Sequence, residues 1–143
     1  MKTAKIRLIA AITAAILLAT ECVIGAAGTG WIRSYLGDVL VIPLIYALWR
    51  VIAPRKPAPG WKLPTGILAF AFAVEFLQLL GAAEWFAPAG AVGDLVRIII
   101  GTSFSVIDLL CYTAGAIPLY LIEQRVKLHS NRKKQQNGNI TRP

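Results

Sequence analysis

Six of the seven acidic residues in this chain lie at or near the same end of four apolar segments, while Lys and Arg crowd the opposite ends. The six are Glu21, Asp38, Glu75, Glu84, Asp94 and Asp108. A carboxylate in hydrocarbon is costly unless it is paired, protonated or hydrated. A layer of such groups could bind a ligand or handle protons. Either chemistry requires helices that hold the layer at one depth.

Composition indicates that these helices lie in a membrane. The chain has 143 residues, of which 57% are hydrophobic, and a mean hydropathy of +0.63, which is too apolar for an ordinary soluble domain. A helix needs roughly 20 apolar residues to cross about 30 Å of hydrocarbon. We therefore predict an all-α integral membrane protein, with a four-transmembrane-helix bundle in residues 1–124 and spans near 8–27, 35–53, 63–82 and 104–123.

A further short apolar stretch runs from Asp94 to Ile100, between the third and fourth predicted spans. It is too short to cross the membrane, so we predict a re-entrant or interfacial segment. This segment would fold Arg97 over the acidic layer as a cation placed to join it.

The basic residues predict an orientation. If the N-terminus is cytoplasmic, 13 of the 15 Lys and Arg residues fall on the cytoplasmic side, and Arg33 and Arg97 are outside. This partition follows the positive-inside rule in every loop. We predict a multi-pass protein of the plasma membrane with cytoplasmic N- and C-termini. The net charge of +8 then indicates topology, and we expect no nucleic-acid partner.

Residues 125–143 form a basic polar tail without apolar periodicity. We predict that this cytoplasmic tail is disordered and contacts anionic lipid headgroups. A dedicated nucleic-acid or partner tail is the alternative.

The first apolar segment has two interpretations. Basic residues precede it and small residues follow it, as in a cleaved signal peptide. Its length instead favours a retained helix, and its small residues Ala11, Ala15 and Ala19 recur every four positions, as in closely packed transmembrane helices.

The polar layer contains the candidate site. Glu75 and Gln78 are three residues apart and share a helix face; Asp108, Tyr112 and Gly115 form another face. These faces should meet inside the bundle or line a cavity, because lipid-facing carboxylates are nearly excluded. The predicted ligand-binding residues are Glu75, Gln78, Asp108, Asp38, Arg97 and Tyr112. No catalytic residue, metal or cofactor is predicted, since the single His129 lies in the basic tail, away from the acidic layer.

Three sequence stretches carry a family resemblance: YLGDVLVIPLIYALWR, AVEFLQL and LVRIIIGTSFSVIDLLCYTAGA. They resemble a bacterial family of small multi-span proteins catalogued as domain of unknown function 2809. The chain is also distantly similar to VanZ-like proteins, which carry an E-x-x-Q pair, here Glu75 and Gln78. Their D-x-x-x-N-x-x-G pattern is matched by Asp108 and Gly115, with Tyr112 in place of Asn. This second resemblance implies a role at the cell envelope.

We therefore expect an uncharacterised membrane protein of the cell envelope, not an enzyme, whose outward-facing polar layer binds a ligand or a lipid headgroup of the outer leaflet. One alternative is a structural or assembly subunit in which the layer only holds helices together. A small proton-coupled transporter is another alternative, although no internal repeat is evident. An intramembrane hydrolase or transferase is a further one, although no nucleophile and base pair is recognisable.

Overall fold

The computed structural model describes residues 2–27, 30–31, 35–55, 58–85, 90–94 and 104–140. The helices whose two ends are described are α1 (Lys2–Ala27), α2 (Gly37–Ile52), α3 (Lys62–Leu79), α4 (Ala82–Trp85) and α5 (Val106–Ile140). Residues 30–31 and 90–94 are also helical. No strand occurs in the described ranges. The predicted all-α class is confirmed for this part of the chain.

In the described part of the chain, three helices are long and apolar enough to cross a membrane. Their candidate spans are Thr3–Ala27 in α1, Lys62–Leu79 in α3 and Val106–Lys133 in α5. By contrast, α2 has 16 residues, which is about 24 Å of helix against about 30 Å of hydrocarbon. The protein is therefore suited to a membrane. Three of the four predicted spans form helices long enough to cross the hydrocarbon.

The core lies where α2 meets α3 and α5. Among the four long helices described, only α2 contacts all three of the others, so it is the central helix. Aliphatic side chains and small residues fill this contact, and the small residues let the helices approach closely. The buried members are Ile42, Leu63, Ile67, Ala71, Ala116 and Leu119.

The crossing of α2 and α5 is closest at Gly115. A Cβ built on Gly115 would lie 2.2 Å from the carbonyl oxygen of Val39, so no side chain fits there. Pro43, four residues after Val39, has no N–H to donate to that carbonyl. The Val39 carbonyl therefore lacks its usual hydrogen bond within α2 at the point where Gly115 of α5 has no side chain. Its oxygen can instead accept a weak Cα–H···O contact from α5.

The buried face of α1 differs from the predicted stripe. Ala11, Ala15 and Ala19 are exposed, whereas Ala10, Ala14 and Ile24 are buried. The expected spacing of small residues occurs, but on the neighbouring row of the helix. The reason is that α1 packs on α2 alone among the described elements, and its contact face also carries Glu21 toward the start of α2.

The tail also differs from the prediction. α5 continues without a break to Ile140, so residues 125–140 are helical rather than disordered. A helix that is already nucleated extends at little cost, and the Lys, Arg and Gln residues of this stretch have good helix propensity. Arg97 and the other residues of the predicted re-entrant segment from 95 to 100 lie outside the described residues.

Candidate functional site

Glu75 lies near the end of α3 and is 1% exposed. Its Oε1 accepts a hydrogen bond from the Tyr112 hydroxyl at 3.0 Å. Its Oε2 accepts one from the backbone N–H of Ser105 at 3.3 Å. One carboxylate thus joins α3 to α5, and both of its oxygens have a donor.

Ser105 is a site residue that sequence reasoning missed. Besides donating to Glu75, it accepts a 3.3 Å hydrogen bond at Oγ from the backbone N–H of Asp108, and so caps the N-terminus of α5. The signal was present in the sequence, because Ser three residues before an acidic residue and ahead of an apolar run is typical of a helix start. Asp108 is half-buried in the first turn, where a negative charge is favourable.

Asp38 brings α1 and α2 into the same group. It is half-buried in the first turn of α2 and interacts electrostatically with Asp108, Glu75 and Glu21. Glu21 reaches across from α1, with Oε2 3.3 Å from the position that a Cβ on Gly37 would occupy. We call Glu21, Asp38, Glu75 and Asp108 the carboxyl cluster. Each of the four helices α1, α2, α3 and α5 supplies one member.

The structure therefore brings together four of the six predicted site residues: Asp38, Glu75, Asp108 and Tyr112. Gln78 is half-buried one turn beyond Glu75 on α3. Arg97, the predicted cation, lies outside the described residues. Glu21 was recognised as part of the acidic layer but not as a site residue.

The carboxyl cluster contains acidic groups without a basic residue among its members. The charged groups that act on Asp38 in the described part of the chain are all carboxyls. Within the same residues, no group of three His, Cys, Asp or Glu side chains is arranged to hold a metal ion. Glu75 is already bonded, and Asp38 shares a side-chain hydrogen bond with Asp108. The arrangement suits a positively charged or hydrogen-bond-donating group that meets this aspartate pair.

A second polar group lies at the opposite end of α2, and sequence reasoning missed it. Arg50 and Glu123, 7% and 1% exposed, form a buried ion pair. Glu123 Oε1 also accepts a 2.5 Å hydrogen bond from the Tyr46 hydroxyl, and Oε2 accepts one of 2.9 Å from the Gly60 N–H. We call Arg50, Glu123, Tyr46 and Gly60 the Arg50 cluster.

The Arg50 cluster escaped prediction because each member had another explanation in the sequence. Arg50 was counted among the cations that set topology, and Glu123 was the one acidic residue at the basic end of the spans. That exception was the available signal, since a lone carboxylate among cations at a helix end usually has a partner. Close by, Thr65 of α3 and Tyr120 of α5 share a 2.7 Å hydrogen bond.

Comparison with known proteins gives one family. The family described as "Protein of unknown function (DUF2809)" matches residues 27–116. No curated protein matches the chain, and neither does any solved structure. The matched region contains α2, α3 and the first part of α5, and so includes Asp38, Glu75 and Asp108. Since the match covers more than half of its length, this chain belongs to the DUF2809 family.

Proposed function

We propose that this protein is a four-span, non-enzymatic membrane protein of the cell envelope that binds a ligand through the carboxyl cluster. The ligand would carry a positively charged or hydrogen-bond-donating group, such as the ammonium of a lipid headgroup in the outer leaflet. The observation that carries the proposal is the position of Asp38, which is half-buried and surrounded by other carboxyls.

The two kinds of carboxylate in the cluster support a division of roles. Glu75 is buried and has a donor on each oxygen, which suits a structural joint between α3 and α5. Asp38 and Asp108 are both partly accessible and lie at the starts of two adjacent helices. A cationic group that meets both carboxyls, in place of the side-chain hydrogen bond between them, would relieve the repulsion between like charges. We assign ligand binding to this pair.

The four-span architecture is supported by the two polar clusters. From Asp38 to Arg50, α2 rises about 18 Å, and from Asp108 to Glu123, α5 rises about 22 Å. Both helices therefore connect the carboxyl cluster to the Arg50 cluster. If α5 crosses the membrane, α2 crosses nearly the same depth beside it. With the basic residues inside, both termini would be cytoplasmic and the carboxyl cluster would face outward.

The binding proposal is tested with phosphatidylethanolamine, whose ammonium group donates hydrogen bonds, against phosphatidylcholine, whose quaternary ammonium does not. The protein in nanodiscs that contain both lipids is released for native mass spectrometry, and bound lipids are counted. We expect wild type to retain phosphatidylethanolamine preferentially and Asp38→Asn/Asp108→Asn to lose that preference. A change of about tenfold in relative retention would correspond to about 1.4 kcal/mol.

One variant serves as the control. Asp94→Asn removes an exposed carboxylate that is not among the groups acting on Asp38, and should retain the preference. Equal lipid selectivity in wild type and Asp38→Asn/Asp108→Asn would contradict the proposal.

A purely structural role is the second candidate, and the closed hydrogen bonding of Glu75 favours it. In that case the aspartate variants would lose folded protein and lipid in proportion. Retention should therefore be expressed per folded molecule, with thermal unfolding measured on the same samples.

A further inference from the structure

The extension of α5 beyond the Arg50 cluster carries a row of basic side chains. Arg125, His129, Arg132 and Lys133 stand at positions i, i+4, i+7 and i+8 of the helix, and such positions share one face. All four are exposed. We call them the basic stripe.

Lys127 shows which way the stripe faces. Its Cδ lies 3.9 Å from the position that a Cβ on Gly60 would occupy, so the Lys127 side of α5 packs against the connection between α2 and α3. Two residues along an α-helix turn it by about 200°. Arg125 therefore lies on the side of α5 that faces away from this connection.

With the Arg50 cluster at the edge of the hydrocarbon, the height of the stripe would match the surface of the membrane. Glu123 belongs to the Arg50 cluster at one end of the bundle, and Arg125 to Lys133 lie about 3 to 15 Å further along the helix. The headgroup layer adds about 5 to 7 Å to each side of the hydrocarbon. Long basic side chains bend along the helix to place their charge in that layer, so the stripe can reach it.

The charge of the segment after Glu123 indicates which lipid headgroups would bind to it. From Gln124 to Pro143 the sequence contains no Asp or Glu, whereas it contains Arg125, Lys127, Arg132, Lys133, Lys134 and Arg142. Clusters of Lys and Arg immediately beyond a membrane helix attract anionic lipids. We propose that the basic stripe is a binding surface for anionic phospholipid headgroups of the leaflet next to the Arg50 cluster. This proposal is independent of the carboxyl cluster.

The test uses the full chain in nanodiscs of phosphatidylglycerol and phosphatidylcholine, followed by native mass spectrometry of the retained lipids. Arg125→Gln/Arg132→Gln removes two charges from the stripe. The matched control, Lys127→Gln/Lys134→Gln, removes two charges at positions on the other side of the same helix. We expect the stripe variant to reduce the retention of phosphatidylglycerol relative to phosphatidylcholine by about tenfold, and the control by much less.

Two results would overturn the proposal. Equal losses in both variants would mean that only net charge matters and that no defined surface exists. The other is the absence of a phosphatidylglycerol preference in wild type. Stripe-dependent binding of a labelled single-stranded oligonucleotide or an acidic peptide to the same nanodiscs would then assign the stripe to a macromolecular partner. Raising the salt concentration should weaken the lipid preference of wild type, because the contacts are exposed and screened.

Discussion

At the scale of single residues, the ion pair of Arg50 and Glu123 has the most demanding environment. Both side chains are almost fully buried, and charges taken out of water are stable only when their remaining donors and acceptors are bonded. Tyr46 and Gly60 meet that need by donating to the two oxygens of Glu123. Arg50 also stacks over the Tyr46 ring, with its guanidinium carbon 5.3 Å from the ring centroid.

Breaking this pair from one side should therefore destabilise the fold more than losing both charges. We expect Arg50→Met to lower the free energy of unfolding by about 3 kcal/mol, because it leaves a buried carboxylate without its cation. Arg50→Met/Glu123→Gln should recover part of the loss, since the glutamine oxygen can accept from the Gly60 N–H while its NH2 group donates to the Tyr46 hydroxyl. Equilibrium unfolding in mixed micelles measures both. Arg55→Met, an exposed neighbour, is the control and should change stability by less than about 0.5 kcal/mol; an equally small effect of Arg50→Met would contradict the expectation.

At the scale of elements, the contact between α2 and α5 decides how closely the bundle packs. Gly115 lies against the backbone of α2 at Val39 and against the ring of Pro43. Backbone is a rigid neighbour, so an added methyl group cannot be accommodated by a change of rotamer. The distance between the two helices is therefore set at this residue, and with it the alignment of Asp38 beside Asp108.

Gly115→Ala should consequently separate the two helices and lower the free energy of unfolding by about 1 to 3 kcal/mol. Gly66→Ala is the matched control: Gly66 also lies within a helix, but nothing approaches its added Cβ within 4 Å. The control should be neutral or stabilising by up to about 1 kcal/mol, because alanine favours the helix. Thermal unfolding of the two variants, measured side by side, checks this. Equal melting temperatures would show that α2 and α5 do not depend on the close approach.

Sequence patterns anticipated the elements better than their contacts. The apolar runs located α1, α2, α3 and the start of α5 to within a few residues, except at the N-terminus of α1, because hydropathy depends on composition alone. They did not select between neighbouring rows of α1, where Ala10 and Ala14 are buried in place of Ala11 and Ala15. Depth counting grouped Asp38, Glu75 and Asp108 correctly. The pairing of Arg50 with Glu123 depends on which faces meet, which periodicity does not specify.

At the scale of the whole molecule, the two polar clusters mark two levels of one bundle. The carboxyl cluster lies at one end of α2 and the Arg50 cluster at the other. The two ends of the bundle therefore differ: acidic groups lie at one end and a buried ion pair lies at the other. Whether α2 crosses the membrane decides whether the termini lie on the same side or on opposite sides.

Topology reporters distinguish these arrangements. We expect a green fluorescent protein fused after Pro143, and one fused after Gly60, to be fluorescent, and alkaline phosphatase at the same points to be inactive, because both points carry flanking basic residues. Alkaline phosphatase fused after Gly30, between α1 and α2, should be active. Active phosphatase after Gly60 together with inactive phosphatase after Gly30 would contradict the orientation. Active phosphatase at Gly30 and at Pro143 would contradict the even number of spans.

The bonds of Glu75 also have a consequence for the covalent chain. Glu75 precedes the connection between α3 and α5, and Ser105, which donates to it, follows that connection. The hydrogen bond between these two residues therefore closes a loop of the polypeptide. The entropy of closing a loop grows only with the logarithm of its length, so doubling the connection would cost about 0.6 kcal/mol. The connection could thus be lengthened with little effect on the bundle, provided that the hydrogen bond between Glu75 and Ser105 remains.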